Sequence, residues 1–144
     1  MKRFSSILLL VIAIMLTACK SSATTQPTVE VAGKKVSVDG GSYTDVSVAE
    51  LQTMLANKDF TFVNVHIPFE GNIAKTDVSI PYDQIDQNLD KLPSDKNAKI
   101  VLYCRSGRMS AISAKTLIGQ GYTNVWNLSG GMVAWEQAGL PVER

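Results

Sequence analysis

The chain has 144 residues, of which 45% are hydrophobic and 19% charged, which suits one packed core and is too short for two. Its formal net charge is +1, from 14 basic and 13 acidic residues, and no basic block or stripe follows residue 19. This near-neutral balance excludes the phosphate-neutralising surface of a nucleic-acid-binding protein, so we expect no nucleic-acid partner.

The N-terminus has the pattern of an export signal. Lys2 and Arg3 precede a nearly pure aliphatic run from Ile7 to Leu16, which is shorter than the ~20 residues that a membrane-spanning helix needs. Residues 1–18 are therefore predicted to be a signal peptide. Their removal takes away two basic residues and no acid, so the balance moves from 14 against 13 to 12 against 13.

The end of this signal bears on localisation. Leu16-Thr17-Ala18-Cys19 resembles the lipobox of bacterial lipoproteins, which implies cleavage before Cys19 and diacylation of its sulfur. Two or more acyl chains hold a protein stably on a bilayer, so we expect an extracytoplasmic protein that is lipid-anchored to a bacterial membrane, on the periplasmic side or the cell surface. The alternatives are an ordinary signal peptide with an incidental cysteine, and an uncleaved anchor.

Two short regions precede the main domain. The residues after Cys19 are small and polar, so residues 19–28 are predicted to be a lipidated N-terminus and flexible tether. Residues 29–46 are predicted to form an N-terminal strand or hairpin extension. Its two β-branched stretches are separated by Ala32-Gly33-Lys34-Lys35, and Asp39-Gly40-Gly41-Ser42 turns the chain again.

Residues 47–144 are predicted to form a single domain in which helices and strands alternate, which indicates an α/β fold with a mostly parallel sheet. Ser47 and Glu50 have the spacing of a capping box, at the start of a helix that ends near Asn57. The elements predicted after it are a strand over Phe60–Val65, a loop-like stretch from Ile73 to Pro93 with a short helix around Tyr82 to Leu89, a strand over Lys99–Tyr103, a helix from near Ser110 to Gly119 or Gly121, a strand over Val125–Leu128 and a helix over Met132–Gln137.

Cys104 directly follows a strand typical of a sheet interior, in the loop Cys104-Arg105-Ser106-Gly107-Arg108-Met109. Such a loop lies at the carboxyl edge of the sheet, where open α/β sheets bind ligands. Inward backbone N–H groups, the start of the next helix and two arginines would favour a thiolate and attract an anion. We therefore predict a reactive thiol in an anion-binding loop. The alternative is an inert cysteine in the core.

The run Val101-Leu102-Tyr103-Cys104-Arg105-Ser106-Gly107-Arg108-Met109-Ser110 resembles the active-site strand and loop of the rhodanese family. The resemblance covers about Ser47 to Val142. It implies a single rhodanese-like α/β domain with a mostly parallel central sheet of about five strands and helices on both faces. Four further stretches are similar to the family in order and spacing: Gly121-Tyr122, Val125 to Leu128, Gly130-Gly131-Met132 through Trp135, and Gly139-Leu140-Pro141-Val142.

This resemblance also implies a thiosulfate sulfurtransferase that works through a persulfide, with no cofactor and no metal. The Cys104 thiolate would attack the outer sulfur of thiosulfate or a similar small anionic donor, release sulfite, and pass the sulfur to a thiol or dithiol acceptor. The N–H groups of residues 105 to 109 would hold the persulfide, and the two arginines would attract the donor. The residues that the resemblance assigns to substrate binding are Arg105, Ser106, Gly107, Arg108 and Met109.

Two stretches depart from the family pattern. Members usually carry Asp-Val-Arg after the strand that precedes the long loop, and then Gly-His-Ile, whereas this chain has Asn64-Val65-His66 and Gly71-Asn72-Ile73. The ion pairing that the missing acid and arginine provide must be absent here or replaced. His66 is a candidate accessory group, as a base or an acceptor-binding residue, and its alternative is a structural histidine.

Two other function classes are alternatives to sulfur transfer. A cysteine phosphatase uses a similar thiolate loop, but the protein-tyrosine type needs an arginine six positions after the cysteine, where this chain has Ser110. A catalytically weak module that binds an anion or a persulfide would tolerate the altered triplet.

Overall fold

The apolar strands assemble into one six-stranded sheet in the computed structural model, which describes residues 29–144. The signal peptide, the Cys19 lipid and the tether predicted above lie outside the described residues. From one edge of the sheet to the other, the strands are β1 (Lys34–Val38), β2 (Gly41–Val46), β7 (Val125–Leu128), β6 (Ile100–Tyr103), β3 (Thr61–Asn64) and β5 (Val78–Ser79).

The strand directions confirm the predicted α/β fold with a mostly parallel sheet. Strands β1 and β2 are antiparallel, and every other neighbouring pair in this sheet is parallel. The sheet has six strands where about five were expected. A second, two-stranded antiparallel sheet joins β4 (Asn72–Ile73) to β8 (Val142–Glu143).

A hairpin forms near the start of the described chain, and its turn is the second of the two that the sequence predicted. The turn predicted at Ala32-Gly33-Lys34-Lys35 is wrong, because the two lysines belong to β1 at the edge of the sheet, where charged side chains are common. The connection is Asp39-Gly40, within the second predicted turn, Asp39-Gly40-Gly41-Ser42, and Val38 lies opposite Gly41. Gly40 has a φ of +86°, which suits the Asp-Gly pair that favours tight hairpin turns.

Strands β2 and β5 were not predicted, and both extend the sheet. Strand β2 shows no regular alternation of buried and exposed residues, and it lies between β1 and β7 in the sheet. Strand β5 has only two residues, within the stretch expected to be loop-like, and it is fixed by pairing with β3. Neither strand can be recognised from the periodicity of hydrophobic residues alone.

The first helix, α1 (Val48–Ala56), confirms the capping box. Ser47 Oγ accepts the backbone N–H of Glu50, and the Glu50 carboxylate accepts the backbone N–H of Ser47 at 2.8 Å. The same carboxylate also accepts the backbone N–H of Gly33 at 2.9 Å, which ties the hairpin to the helix. These hydrogen bonds, led by that from the Ser47 backbone, lower the pKa of Glu50 below its ordinary value.

Helices cover both faces of the sheet, as predicted. On one face, α2 (Arg108–Gly119) and two 3₁₀ helices, Tyr82–Gln87 and Leu89–Lys91, pack over a core that includes Leu102 and Cys104. On the other face, α1 and α3 (Gly131–Gln137) pack over a core that includes Tyr103. None of the helices within residues 29–144 is long and apolar enough to span a membrane.

Candidate active site

The central strand β6 delivers Cys104 to the carboxyl edge of the sheet. All four residues of β6 are buried, since the strand is covered on both faces and lies between β3 and β7. Cys104 follows it directly and is 1% exposed. The cysteine is therefore close to the surface edge of the sheet, yet its thiol is held within the protein.

Two hydrogen-bond donors face the sulfur of Cys104. The backbone N–H of Gly107 lies 3.0 Å from Sγ, and the hydroxyl oxygen of Ser110 lies 3.5 Å from it. Helix α2 begins at Arg108, so the positive end of its dipole lies beside the same sulfur. These three features place positive partial charge around Sγ.

The loop is shorter than the sequence indicated. Helix α2 was predicted to begin near Ser110, but it begins at Arg108, so Arg108 and Met109 belong to its first turn. The reason is Gly107, whose φ of +91° turns the chain sharply into the helix. The sequence also did not predict the contact of Ser110 with the sulfur, because its position suggested only the place where a phosphatase carries arginine.

Helix α3 holds the loop in place through its first backbone groups. The N–H of Met132 donates to the carbonyl of Cys104, and the N–H of Val133 donates to the carbonyl of Arg105, both at 2.9 Å. This approach requires glycine at position 131, where φ is +56° and an added Cβ would lie 2.2 Å from the Cys104 carbonyl oxygen. Gly131 therefore serves the geometry of the site.

A pocket of about 280 Å³ opens over Cys104. Four of the five residues predicted to bind substrate line it, and the fifth, Gly107, donates its N–H to the sulfur. Ile112 lines it too, from one helical turn after Arg108, and so does Tyr82, which nothing in the spacing of the sequence brings to Cys104. The complete lining is His66, Tyr82, Cys104, Arg105, Ser106, Arg108, Met109 and Ile112.

The two departures from the family pattern contact each other. The buried Asn64 side chain donates from Nδ2 to Asn72 Oδ1 at 3.0 Å and to the Gly71 carbonyl at 2.9 Å. Its Oδ1 accepts the backbone N–H of His66. A neutral amide pair thus organises the segment from residue 64 to residue 72, in the place where the family pattern has an acid and a histidine.

The side chain of Tyr103 makes hydrogen bonds to the end of this segment and to the residues that follow it. Its hydroxyl accepts the backbone N–H of Ile73 at 3.0 Å and lies 2.7 Å from Thr76 Oγ1 and 3.3 Å from Asn72 Oδ1. Burial raises the pKa of Tyr103 above its ordinary value, so the hydroxyl stays protonated at neutral pH. The tyrosine therefore anchors the loop as a neutral donor and acceptor.

His66 lies in the pocket wall, and its side chain is 7% exposed. Neither ring nitrogen has a hydrogen-bond partner among the described residues. Its Nε2 is 3.5 Å from a carboxylate oxygen of Glu70, longer than an ordinary hydrogen bond. The other carboxylate oxygen of Glu70 accepts from Arg105 Nη1 at 3.1 Å. Glu70 is a residue of the site that the sequence patterns did not single out.

Comparisons with known proteins point to one domain family. A sulfurtransferase from Allochromatium vinosum is 34% identical over 94 residues, which cover 63% of this chain and 85% of that protein. A tRNA uridine(34) hydroxylase from Erwinia tasmaniensis is 31% identical over 114 residues, which cover 72% of this chain but only 32% of the hydroxylase. The chain thus corresponds to about a third of that enzyme.

Solved structures agree with this assignment. The crystal structure of a rhodanese-related protein from Thermoplasma volcanium superposes with a TM-score of 0.59 at 29% identity, covering 69% of this chain and 97% of that one. A protein from Rhodopseudomonas palustris, described as a possible tyrosine phosphatase, gives 0.60 at 25% identity, covering 70% and 85%. The model of the rhodanese-like domain matches residues 47–138, and the chain therefore belongs to the rhodanese-like domain family.

Proposed function

We propose that this protein is a sulfurtransferase that carries sulfane sulfur as a persulfide on Cys104. The observation that supports this most directly is the environment of the sulfur. A buried Sγ accepts the N–H of Gly107 beside the start of α2, and it faces a pocket that two arginines line. A nucleophile and an anion-binding surface therefore coincide, as transfer from an anionic donor requires.

The first half-reaction consumes the donor. The Cys104 thiolate attacks the outer sulfur of thiosulfate, a new S–S bond forms, and the bond between the two donor sulfurs breaks. Sulfite leaves with the electron pair of that bond, and the persulfide keeps one negative charge. The N–H of Gly107 and the hydroxyl of Ser110, now at Sγ, lie where they stabilise charge near the reacting sulfurs.

The second half-reaction needs a partner's thiol. Cys104 is the one cysteine of residues 29–144, and the only other one in the chain is Cys19, the proposed lipid site. An acceptor thiolate attacks the outer sulfur of the persulfide, and Cys104 leaves as thiolate. A small thiol or a dithiol protein serves this role, since no resolving cysteine is present in the described part of the chain.

Steady-state assays test the proposal against its two alternatives. Sulfite release from thiosulfate, with a dithiol as acceptor, is expected from the native protein and is expected to be absent from Cys104→Ser. Hydrolysis of an aryl phosphate without sulfite release would identify a cysteine phosphatase. Thiosulfate binding without turnover would identify a binding module. Either of these two results would contradict sulfur transfer.

The phosphatase alternative has less support at the site. The hydroxyl of Ser110 occupies the sixth position after Cys104, is fully buried, and is directed to the sulfur and to the Gly107 carbonyl. An arginine that clamps a phosphate from this position is therefore missing. Arg105 and Arg108 lie within the first four positions, where they serve a small anion at the pocket mouth.

We further propose that the protein works outside the cytoplasm on a bacterial membrane. The support is the sequence alone: the basic start, the short apolar run and Leu16-Thr17-Ala18-Cys19. Replacement of Cys19 by serine is expected to release the protein into the soluble extracytoplasmic fraction. Retention of Cys19→Ser in the membrane fraction would count against lipidation, and fractionation followed by immunoblotting gives the answer.

A further inference from the structure

We propose that Glu70 is a specificity-determining residue of the Cys104 pocket, which limits how strongly the pocket favours donors with high negative charge. One carboxylate oxygen of Glu70 accepts from Arg105 Nη1 at 3.1 Å, and the other lies 3.5 Å from Nε2 of His66. Both of these partners line the pocket over Cys104. The carboxylate thus stands where a donor anion would otherwise find its partners.

The charges around the sulfur show why one carboxylate matters. With Cys104 as thiolate, the negative charges of Cys104 and Glu70 equal the positive charges of Arg105 and Arg108. Without Glu70, the site with its thiolate would carry one excess positive charge. A doubly charged donor such as thiosulfate gains more from that excess than a singly charged persulfide does, so Glu70 moves the preference toward donors of lower charge.

The pairing is also weak enough for substrate to displace it. Arg105 is 58% exposed and Glu70 is 35% exposed at the side chain, and an ion pair this open to solvent is held loosely. A bound anion can therefore take the guanidinium from Glu70. The buried ring of His66, whose nitrogens have no hydrogen-bond partner among residues 29–144, is then the nearest group to which the carboxylate can turn, with Nε2 3.5 Å away.

Alkylation of Cys104 by two reagents of different charge measures this selectivity without any sulfur transfer. Iodoacetate is an anion and iodoacetamide is neutral, and in both the sulfur attacks the methylene carbon and iodide leaves. The full chain is used in detergent, and modification is followed on the Cys104 peptide by mass spectrometry. The ratio of the two rates reports the charge preference, because the intrinsic reactivity of the thiolate enters both.

Glu70→Gln is expected to raise the iodoacetate-to-iodoacetamide ratio about twofold to fivefold at low ionic strength, and salt should reduce the gain. Glu136→Gln is the matched control, since it removes a second Glu–Arg pair, with Arg144, and is expected to leave the ratio unchanged. In an Arg105→Gln background, the effect of Glu70→Gln should be smaller. An unchanged or lowered ratio in Glu70→Gln would overturn the proposal.

A second variant covers the case in which Glu70→Gln does not fold. Glu70→Ala also removes the charge, and the iodoacetate-to-iodoacetamide ratio is read from whichever variant unfolds at a native-like temperature. The donor preference rests on the proposed function, and it predicts a lower KM for thiosulfate in Glu70→Gln with little change in kcat. Absence of sulfur transfer in the native protein would refute the proposed function, whereas the alkylation ratio would still decide the role of Glu70.

Discussion

Replacing Asn64 by aspartate restores the acid of the family pattern, and we predict that it destabilises this protein. Asn64 is 1% exposed, and its Nδ2 donates to the Gly71 carbonyl and to Asn72 Oδ1. An aspartate loses both hydrogen bonds, at about 1 kcal/mol each, and buries a charge beside two oxygen atoms, which costs a few kcal/mol more. The expected loss at pH 7 is about 3–5 kcal/mol.

The loss depends on pH in a defined direction. Burial beside two acceptors raises the folded-state pKa of the new carboxyl above its unfolded value of about 3.9. The deficit is therefore small below pH ~3.9, grows as the pH rises through the raised pKa, and is complete above it. Thermal unfolding of the full chain at pH 4 and pH 7 measures this as a drop in Tm of about 10 °C or more at pH 7.

A control variant and a double variant test the cause of the loss in Asn64→Asp. Asn97→Asp is the control, because Asn97 is exposed and its Oδ1 keeps the hydrogen bond from Thr123, so a change within about 0.5 kcal/mol is expected. Asn64→Asp with Asn72→His restores both family residues and places an N–H donor near the new carboxylate, so part of the loss should return. Native-like stability of Asn64→Asp at pH 7 would refute the reasoning.

Three further changes follow from single contacts. Gly131→Ala places a Cβ 2.2 Å from the Cys104 carbonyl at a φ of +56°, so a loss of about 2–4 kcal/mol and lower Cys104 reactivity are expected in melting and alkylation assays. Tyr103→Phe leaves the buried N–H of Ile73 without its acceptor and should cost about 1–3 kcal/mol in Tm-derived stability, whereas no loss would contradict that hydrogen bond. Glu50→Gln should lower stability at pH 7, and the difference from the native protein should vanish as the pH falls through the lowered pKa of Glu50.

The sequence predicted those parts of the fold whose signals are local. The capping box of Ser47 and Glu50 and the apolar run of β6 each depend on neighbouring residues, and they correspond to a helix and a strand in the structure. Strands β2 and β5 escaped prediction because their stability comes from partners that are distant in sequence. Of the two turns predicted before Ser47, the one at Asp39-Gly40 joins the hairpin strands, and its Asp-Gly pair carries the stronger signal.

The sequence predicted the site residues that follow Cys104 in its loop, but not those that are distant from Cys104 in the sequence. Cys104 and the residues that follow it form one continuous stretch, so the motif placed them together. Ile112 lies on α2, one helical turn after Arg108. Glu70 and Tyr82 reach the site from other elements, and a single sequence holds no spacing that joins them to Cys104. The pairing of Asn64 with Asn72 likewise appears only when the segment between them closes on itself.

Mass spectrometry of the intact protein after incubation with thiosulfate is the most direct test of the central claim. We expect an adduct of one sulfur, about 32 Da, on the Cys104 peptide of the native protein, its loss when a dithiol is added, and no adduct on Cys104→Ser. A Cys104 that stays unmodified in excess thiosulfate, in protein whose thermal unfolding shows it to be folded, would contradict the assignment of sulfur transfer to this site.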